Sequence, residues 1–330
     1  MIKAMVLAAG VGSRLDPLSR YMPKPLVPVL NIPVMEHVLW GLKEHGIENV
    51  ISNTHYMADS LVSYFTENPP QGIKLNFLHE KELSGDAGGV RACKDFLEGD
   101  TFVVIMGDLI TNANISKLIA AHKKKNAIAT IGVKKMPDVT RFGVMKRDAE
   151  GFIQAFQEKP KAEEAISHEI STGIYILEPE IFEHIPKTGS FGFGKQLFPS
   201  LLEKRLALLG EDIDGHWSDI GTLNDLFKAN MDALEGKIKV SEAAPKHEHE
   251  FAGNILGKNV LLGKNLAMGA NSKISDFCII GDNCKIGNDV QLEHCMIIAG
   301  AKIPDKSVMR NCIYAFDELI PVAETVGSCS

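Results

Sequence analysis

Between residues 256 and 298 an aliphatic side chain returns at every sixth position: Leu256, Leu262, Met268, Ile274, Ile280, Ile286, Leu292 and Ile298. The residue that follows is small at most steps (Gly257, Gly263, Gly269, Ser275, Gly281, Gly287, Ala299), with Glu293 the exception. A fixed short period is the mark of stacked repeats, which bury their apolar faces only against their neighbours. Three hexads close one triangular coil of a parallel β-helix, so residues eighteen apart are expected to stack: Leu256 on Ile274 on Leu292, Leu262 on Ile280 on Ile298, and Met268 on Ile286. The glycines are expected at the corners, where the chain turns sharply. A second inward position falls four residues after each aliphatic, at Val260, Leu266, Ser272, Cys278, Cys284, Val290 and Met296, which assigns Cys278 and Cys284 to packing. Eight hexads amount to fewer than three coils.

Ahead of the repeat the pattern is different. From residue 1 to about 235, short apolar runs alternate with segments of helical period. Strands are expected at Ile2–Leu7, Val50–Ile51, Leu75–Leu78, Phe102–Met106 and Ile128–Val133, with helices from Val34 toward Gly46 and near 57–66, 87–97 and 114–124. This alternation predicts an α/β fold with a mainly parallel sheet flanked by helices. Shorter strands at Phe142–Lys146, Phe152–Gln157 and Gly173–Leu177 make the sheet mixed, and helices return near 195–206 and 222–234. A polar stretch with Pro245 and the run Lys246-His247-Glu248-His249-Glu250 reads as a solvated linker rather than a metal site. The expected organisation is a domain over 1–235, a linker over 236–253, and the repeat with its tail over 254–330.

Composition narrows the function classes. The 330 residues carry 35 basic and 42 acidic side chains, a formal charge of −7, so no broad basic surface for nucleic acid is expected. With 45% apolar and 23% charged residues the chain has material for a core, and it holds no apolar run long enough to span a bilayer. The N-terminal Met1–Gly10 has one cation ahead of an apolar stretch but no small-x-small cleavage site, and reads as a buried first strand. Six cysteines (Cys93, Cys278, Cys284, Cys295, Cys312, Cys329) without CxxC spacing read as reduced thiols of a cytoplasmic protein.

The strongest local signal is Leu7-Ala8-Ala9-Gly10-Val11-Gly12-Ser13-Arg14-Leu15-Asp16-Pro17-Leu18, followed by Pro23-Lys24-Pro25-Leu26. Glycines directly after a strand let backbone N–H groups approach a phosphate. Neither the dinucleotide fingerprint, which would need glycine where Leu15 stands, nor the Walker pattern is satisfied. The loop carries Arg14 instead, with Lys24 held between two prolines. Two cations beside a phosphate-sized nest suit a triphosphate whose bridging oxygen departs with charge.

These segments resemble the sugar-phosphate nucleotidylyltransferases, whose signature is Gly-x-Gly-Thr/Ser-Arg-Leu-x-Pro-Leu with a Pro-Lys-Pro-Leu downstream. The likeness runs to about residue 230 through Gly107-Asp108, Glu158-Lys159-Pro160 and Trp217-Ser218-Asp219-Ile220-Gly221-Thr222. The repeat in turn resembles the hexapeptide-repeat left-handed β-helices, and the combination is similar to mannose-1-phosphate guanylyltransferases. The resemblance implies a Rossmann-like nucleotidyltransferase fold and transfer of a nucleotidyl group from a nucleoside triphosphate to a sugar 1-phosphate, with Mg2+ as cofactor. It implies that Asp108 and Asp219 bind the metal, that Arg14 and Lys24 neutralise the triphosphate, and that Lys159 grips the sugar phosphate. By the same likeness Leu7, Ala8, Ala9, Gly10, Gly12, Ser13, Glu80 and Gly85 face the nucleotide, and Gly143, Glu158 and Thr172 the sugar phosphate.

Other readings stand beside these. Asp108 can cap a turn or the next helix, and Asp219 can prepare the helix after Gly221-Thr222. If Glu80 faces the base, its two acceptor oxygens suit guanine's adjacent N1–H and N2–H₂; otherwise it points to solvent. The family's Gly-Thr-Ala-Gly is Gly85-Asp86-Ala87-Gly88 here, and Ser171-Thr172 replaces its Asn-Ala. The substrates expected are GTP with mannose 1-phosphate, with UTP or dTTP and glucose 1-phosphate as the alternative. A non-catalytic homologue that only binds nucleotide-sugar, and an acyltransferase built on the β-helix with His294, are the readings from other classes. No membrane or nucleic-acid partner is expected, and the open faces of the β-helix suggest a homo-oligomer.

Overall fold

Ala4, Met5 and Val6 have no exposed surface, because the strand Lys3–Leu7 lies between two parallel neighbours, Asn49–Thr54 and Phe102–Met106. The computed structural model of the protein describes residues 2–238 and 253–322; the charged run 246–250 and Cys329 lie outside them. Across the larger sheet the strand order is Ile153–Glu158, Gly143–Arg147, Glu169–Leu177, Phe102–Met106, Lys3–Leu7, Asn49–Thr54 and Lys74–His79. Ala129–Lys135 and Leu208–Asp212 complete it, pairing with each other in parallel. Glu169–Leu177 runs antiparallel to its neighbours, so the sheet is mixed, as expected. The strand Leu208–Asp212 was not legible in the sequence, since Leu208 and Leu209 are its only large apolar residues.

By its contacts the chain forms two units. One contains Met1–Val11, Val38–Asp108 and Asn112–Trp217; the other contains Gly12–His37, Leu109–Thr111 and Ser218–Ser330. The first holds the large sheet and most of its helices. Ile115–Lys125 starts at Asn114, whose side chain accepts from Lys117 N–H at 2.9 Å, and ends with Asn126 in the left-handed region. Its last turn is Lys123-Lys124-Lys125, where cations suit the negative end of the helix dipole. Arg147 ties three strands together, donating through Nε and Nη2 to the two oxygens of Glu169 at 2.9 and 2.8 Å, and through Nη2 to Asp212.

The second unit contains the parallel β-helix. Leu256, Ile274 and Leu292 stack in register, as do Met268 and Ile286. Leu262 stacks on Ile280, but Ile280 then meets Ile297 rather than Ile298. From that level the coil shortens to seventeen residues, and Leu292 meets Met309. The corner at His294, with φ 48°, is one residue tighter than its predecessors. Cys295 therefore turns inward, while Met296, expected inside, joins Ile298 in a different core. Met309 and Tyr314 add a further layer, so the helix is longer than the hexads indicated, and Glu318–Pro321 closes its edge as an antiparallel strand.

The corners also differ from expectation. Left-handed backbone is taken by Asn259, Asn265, Asn271, Phe277, Asn283 and Asp289, with φ between 53° and 59°, mostly residue types that tolerate it. The glycines are needed because adjacent coils lie against them. A Cβ on Gly263 would sit 2.5 Å from Asp282 N, and one on Gly281 2.6 Å from Ala299 Cα. Asp282 and Asn288 bridge coils through their side chains, accepting from Lys264 N–H at 2.7 Å and Ala270 N–H at 2.9 Å.

Each strand of one β-helix face also presents a residue outward. Leu261, Ile279, Met296 and Ile313 pair in successive register, and all are buried in a core outside the coil. To that core Leu15, Leu18 and Val27 contribute from the Gly12–His37 segment, and Leu226 and Phe227 from the helix Leu223–Leu234. The face is thus covered by the chain's own residues.

Candidate active site

In the first unit, parallel pairing places the carboxyl ends of Lys3–Leu7, Asn49–Thr54 and Phe102–Met106 along one edge, with Leu7 level with Asn53 and Met106. Ligands of open α/β sheets collect outside such an edge. Ala8 and Ala9 are buried and Gly10 is exposed. A Cβ on Gly10 would meet nothing within 4 Å, so the chain itself does not demand glycine there. Ala8 N–H donates to Asn53 Oδ1 at 2.9 Å, and Asn53 Nδ2 donates to Glu80 Oε1 at 2.6 Å. Asn53 went unnoticed in the sequence, although a polar Ser-Asn-Thr run at the end of a buried strand was a signal.

Asp108 follows the central strand and is half-buried. Gly107 makes that approach possible: its N–H donates to Leu7 O at 2.9 Å, and a Cβ would sit 3.0 Å from Val6 Cγ1. The next helix is capped by Asn114, so Asp108 is not its cap.

Glu80 differs from the conditional reading. It is 6% exposed, and Ser84 Oγ and N–H donate to its Oε2 while Asn53 occupies Oε1. Its carboxylate is filled from within the chain and holds the strand ends and the Ser84 turn together. Glu80 thus turns into the chain rather than toward a base or solvent. Gly85 is required locally, with φ 80° and a hypothetical Cβ 2.5 Å from Phe191 O. Thr172, expected in the sugar-phosphate pocket, is 1% exposed and donates to Gly132 O at 2.7 Å, so its hydroxyl is spent on the sheet.

Glu158 lies at the end of its strand with Lys159 next to it in left-handed backbone, φ 48°. Lys159 Nζ stands 3.6 Å from Glu158 Oε1, and two glycines crowd the carboxylate. A Cβ on Gly143 would be 3.2 Å from Glu158 Oε2, and one on Gly194 would be 2.8 Å from its Cδ. Burial pushes the Glu158 carboxyl above its ordinary value; Lys159 opposes that and Asp86 reinforces it. Asp86 behaves alike: burial raises it, against hydrogen bonds from backbone N–H groups of Phe193 and Ala87 to Oδ1 and the charge of Lys159. Tyr175, buried beneath both acids, bonds with Ser171 Oγ at 3.2 Å. Gly194 carried no sequence signal, and Asp86 none beyond the departure at its position.

In the second unit the motif loop folds into one-turn helices, Ser13–Leu15, Leu18–Arg20 and Lys24–Leu26. Gly12 is left-handed at φ 68°, with Lys24 Cβ 2.9 Å from where its own Cβ would be. Arg14 is exposed and Lys24 half-buried. Lys24 Nζ lies 3.7 Å from Asp219 Oδ1, at the end of the strand Trp217–Asp219, which pairs with Leu109–Thr111. The helix Leu223–Leu234 is capped by Thr222, which accepts from Asp225 N–H at 3.2 Å. Asp219 is therefore not its cap.

The sequence profile described as nucleotidyl transferase matches residues 3–236. The chain belongs to that family. Residues 256–326 match the GMPPB C-terminal domain. It is 38% identical over 251 residues to the UTP–glucose-1-phosphate uridylyltransferase of Synechocystis, over 72% of this chain but only 65% of that enzyme's length. It is 32% identical over 339 residues to the mannose-1-phosphate guanyltransferase of Schizosaccharomyces pombe, covering 100% of this chain and 88% of that one. Among solved structures, HddC from Yersinia pseudotuberculosis complexed with GMP-PN has a TM-score of 0.61 at 26% identity, covering 70% of this chain and 98% of that chain.

Proposed function

We propose that the protein is a sugar-1-phosphate nucleotidyltransferase, forming NDP-sugar and pyrophosphate from a nucleoside triphosphate and a sugar 1-phosphate. The observation that carries this reading is the profile match over residues 3–236 together with the placement of its motif residues, since Gly10 and Asp108 follow adjacent parallel strands at their carboxyl ends. Asn114 and Thr222 take the helix caps that were the alternative roles for Asp108 and Asp219. An oxygen of the sugar phosphate attacks the α-phosphorus, a P–O bond forms there, and the bond to the bridging oxygen breaks with its electrons leaving on pyrophosphate. The attacking group is already an anion at pH 7, so no general base is required. The obstacle is repulsion between anions, and placed cations lower it.

On this reading Arg14 and Lys24 offset the triphosphate, and Lys159 the sugar phosphate. Glu158, with its carboxylate wedged between glycines, accepts from sugar hydroxyls. Ala9, Gly10 and Ser13 offer backbone N–H groups, Gly10 with open space around it, while the Ala8 N–H is held by Asn53. Asp108 and Asp219 would hold Mg2+, an ion that takes one or two carboxylates and completes its shell with phosphate oxygens and water, and a two-aspartate donor set suits that habit. When bound it supplies Lewis-acid stabilisation of the phosphate charge.

For substrates we favour GTP with mannose 1-phosphate. The C-terminal match and the full-length relative from Schizosaccharomyces pombe support it; the 38% identity to the Synechocystis enzyme supports UTP with glucose 1-phosphate. The proposal includes a cytoplasmic location and a homo-oligomer. Among the described residues no helix is long and apolar enough to cross a membrane, and five cysteines are free. Pyrophosphate release across a panel of triphosphates and hexose 1-phosphates with magnesium tests the activity, and silence across the panel defeats it. Asp108→Asn is expected to lower turnover by orders of magnitude while triphosphate binding changes little; unchanged turnover removes the metal assignment.

A further inference from the structure

The Gly12–His37 segment, which carries Arg14 and Lys24, groups by its contacts with the β-helix. Leu15, Leu18 and Val27 share one core with the outward ladder of Leu261, Ile279, Met296 and Ile313. Two further ties are specific. Asn31 Nδ2 donates to Ile280 O at 2.9 Å, and the Tyr21 ring stacks on Phe316 with centroids 3.9 Å apart and planes 21° from parallel. Beside the stack, Arg20 pairs with Asp16 and is also drawn by Glu318. The other end of the segment is pinned by Asn230, which accepts from Leu30 N–H at 2.8 Å and donates to Pro28 O at 3.1 Å.

A loop built of single helical turns has little internal cooperativity. Its order comes from what it packs on, and a loop ordered before its ligand arrives spares the binding step that entropy. We propose that the β-helix is a positioning element for the triphosphate loop. Its ladder and the Tyr21–Phe316 stack hold Gly12–His37 in the conformation that presents Arg14 and Lys24, so the C-terminal repeat sets nucleotide affinity. This rests on the reading of Arg14 and Lys24 as triphosphate ligands.

The stack allows a test that leaves the core intact, because Tyr21 and Phe316 are 47% and 36% exposed. Full-length Phe316→Ala is compared with Phe316→Tyr and with Leu319→Ala, an exposed change on the same hairpin. Dissociation constants for GTP and UTP with magnesium are measured at equilibrium, alongside KM for each substrate, kcat and the thermal midpoint. Losing one aromatic pair is worth about two- to tenfold. Phe316→Ala is expected to weaken triphosphate binding and raise its KM by that factor, with kcat and the sugar-phosphate KM within about twofold. Phe316→Tyr restores the wild-type values and Leu319→Ala keeps them. Unchanged triphosphate affinity in Phe316→Ala overturns the proposal, as does a parallel rise in both KM values with a lowered midpoint, the sign of a merely structural role. Wild-type protein that binds neither triphosphate overturns the reading of the site as well, whereas wild-type binding beside an unaffected Phe316→Ala overturns only the role of the β-helix.

Discussion

Gly194→Ala isolates the sugar-phosphate side of the proposed reaction. The new Cβ would lie 2.8 Å from Glu158 Cδ, where ordinary contacts begin at 3.4 Å. The carboxyl group must therefore retreat by at least about 0.6 Å, and Oε2, the nearer atom, by more. Moving away from the new methyl group, the carboxylate swings and changes its 3.6 Å pairing with Lys159. A misplacement of about 1 Å in a positioning group costs up to about a hundredfold in rate. Steady-state pyrophosphate release with the sugar 1-phosphate varied is expected to show kcat/KM lower by about ten- to a hundredfold. Equilibrium binding of the triphosphate is expected to stay within about twofold, because Glu158 is not assigned to it. The clash falls on the far end of a half-buried side chain, so the thermal midpoint should move little. Unchanged kinetics toward the sugar phosphate would refute the reasoning, and so would an equal loss of triphosphate binding.

Three further outcomes follow from local physics. Gly41 lies inside the helix Val34–Glu44 with nothing within 4 Å of a hypothetical Cβ, so Gly41→Ala should stabilise the protein by about 0.5–1 kcal/mol in denaturant titration; destabilisation would show an unseen constraint there. Thr222→Ala removes the cap of Leu223–Leu234 and should cost about 1 kcal/mol, and a cost near zero would mean that water replaces the cap. Burial holds His37 below the ordinary histidine range, and also His122, against the pull of Glu178. A depressed folded value means that the unfolded chain takes up protons first as pH falls, so this stability is complete above about pH 6.5 and declines below it. The thermal midpoint should fall between pH 7 and pH 5, and less so in His37→Gln, which keeps a donor for Val29 O; equal falls would clear His37.

The repeat shows how far a period can be read. Burial of an aliphatic at each sixth residue is a one-dimensional rule, and it located the first coils correctly. It misplaced Ile298 and Met296 because one corner, at His294, closes with a residue fewer, and nothing in the aliphatic spacing registers a corner's length. The glycines read as the corners, and the asparagines two residues after most of them went unread. Their division of labour was not legible, because a close approach between coils and a left-handed corner both favour residues without bulk. Asp276, Asp282 and Asn288 also recur every six residues, and that polar period, left unread, marks the side chains that bridge coils.

At the site, the motifs named residue types but not where their hydrogen bonds go. Glu80 and Thr172 have the right chemistry to meet substrate, and both spend it on the chain: Glu80 on Asn53 and Ser84, Thr172 on Gly132. A buried polar group must be satisfied, and whether a ligand or the fold satisfies it is decided by neighbours distant in sequence. For Asp108 and Asp219 only helix capping is removed as a role, since Asn114 and Thr222 cap the helices that follow them. The departure at Asp86 gains meaning by the same rule. Its Oδ1 receives the N–H groups of Phe193 and Ala87, which anchors the turn that brings Gly194 against Glu158. Through that turn this sequence couples its unusual residue to the placement of the acid proposed to read the sugar.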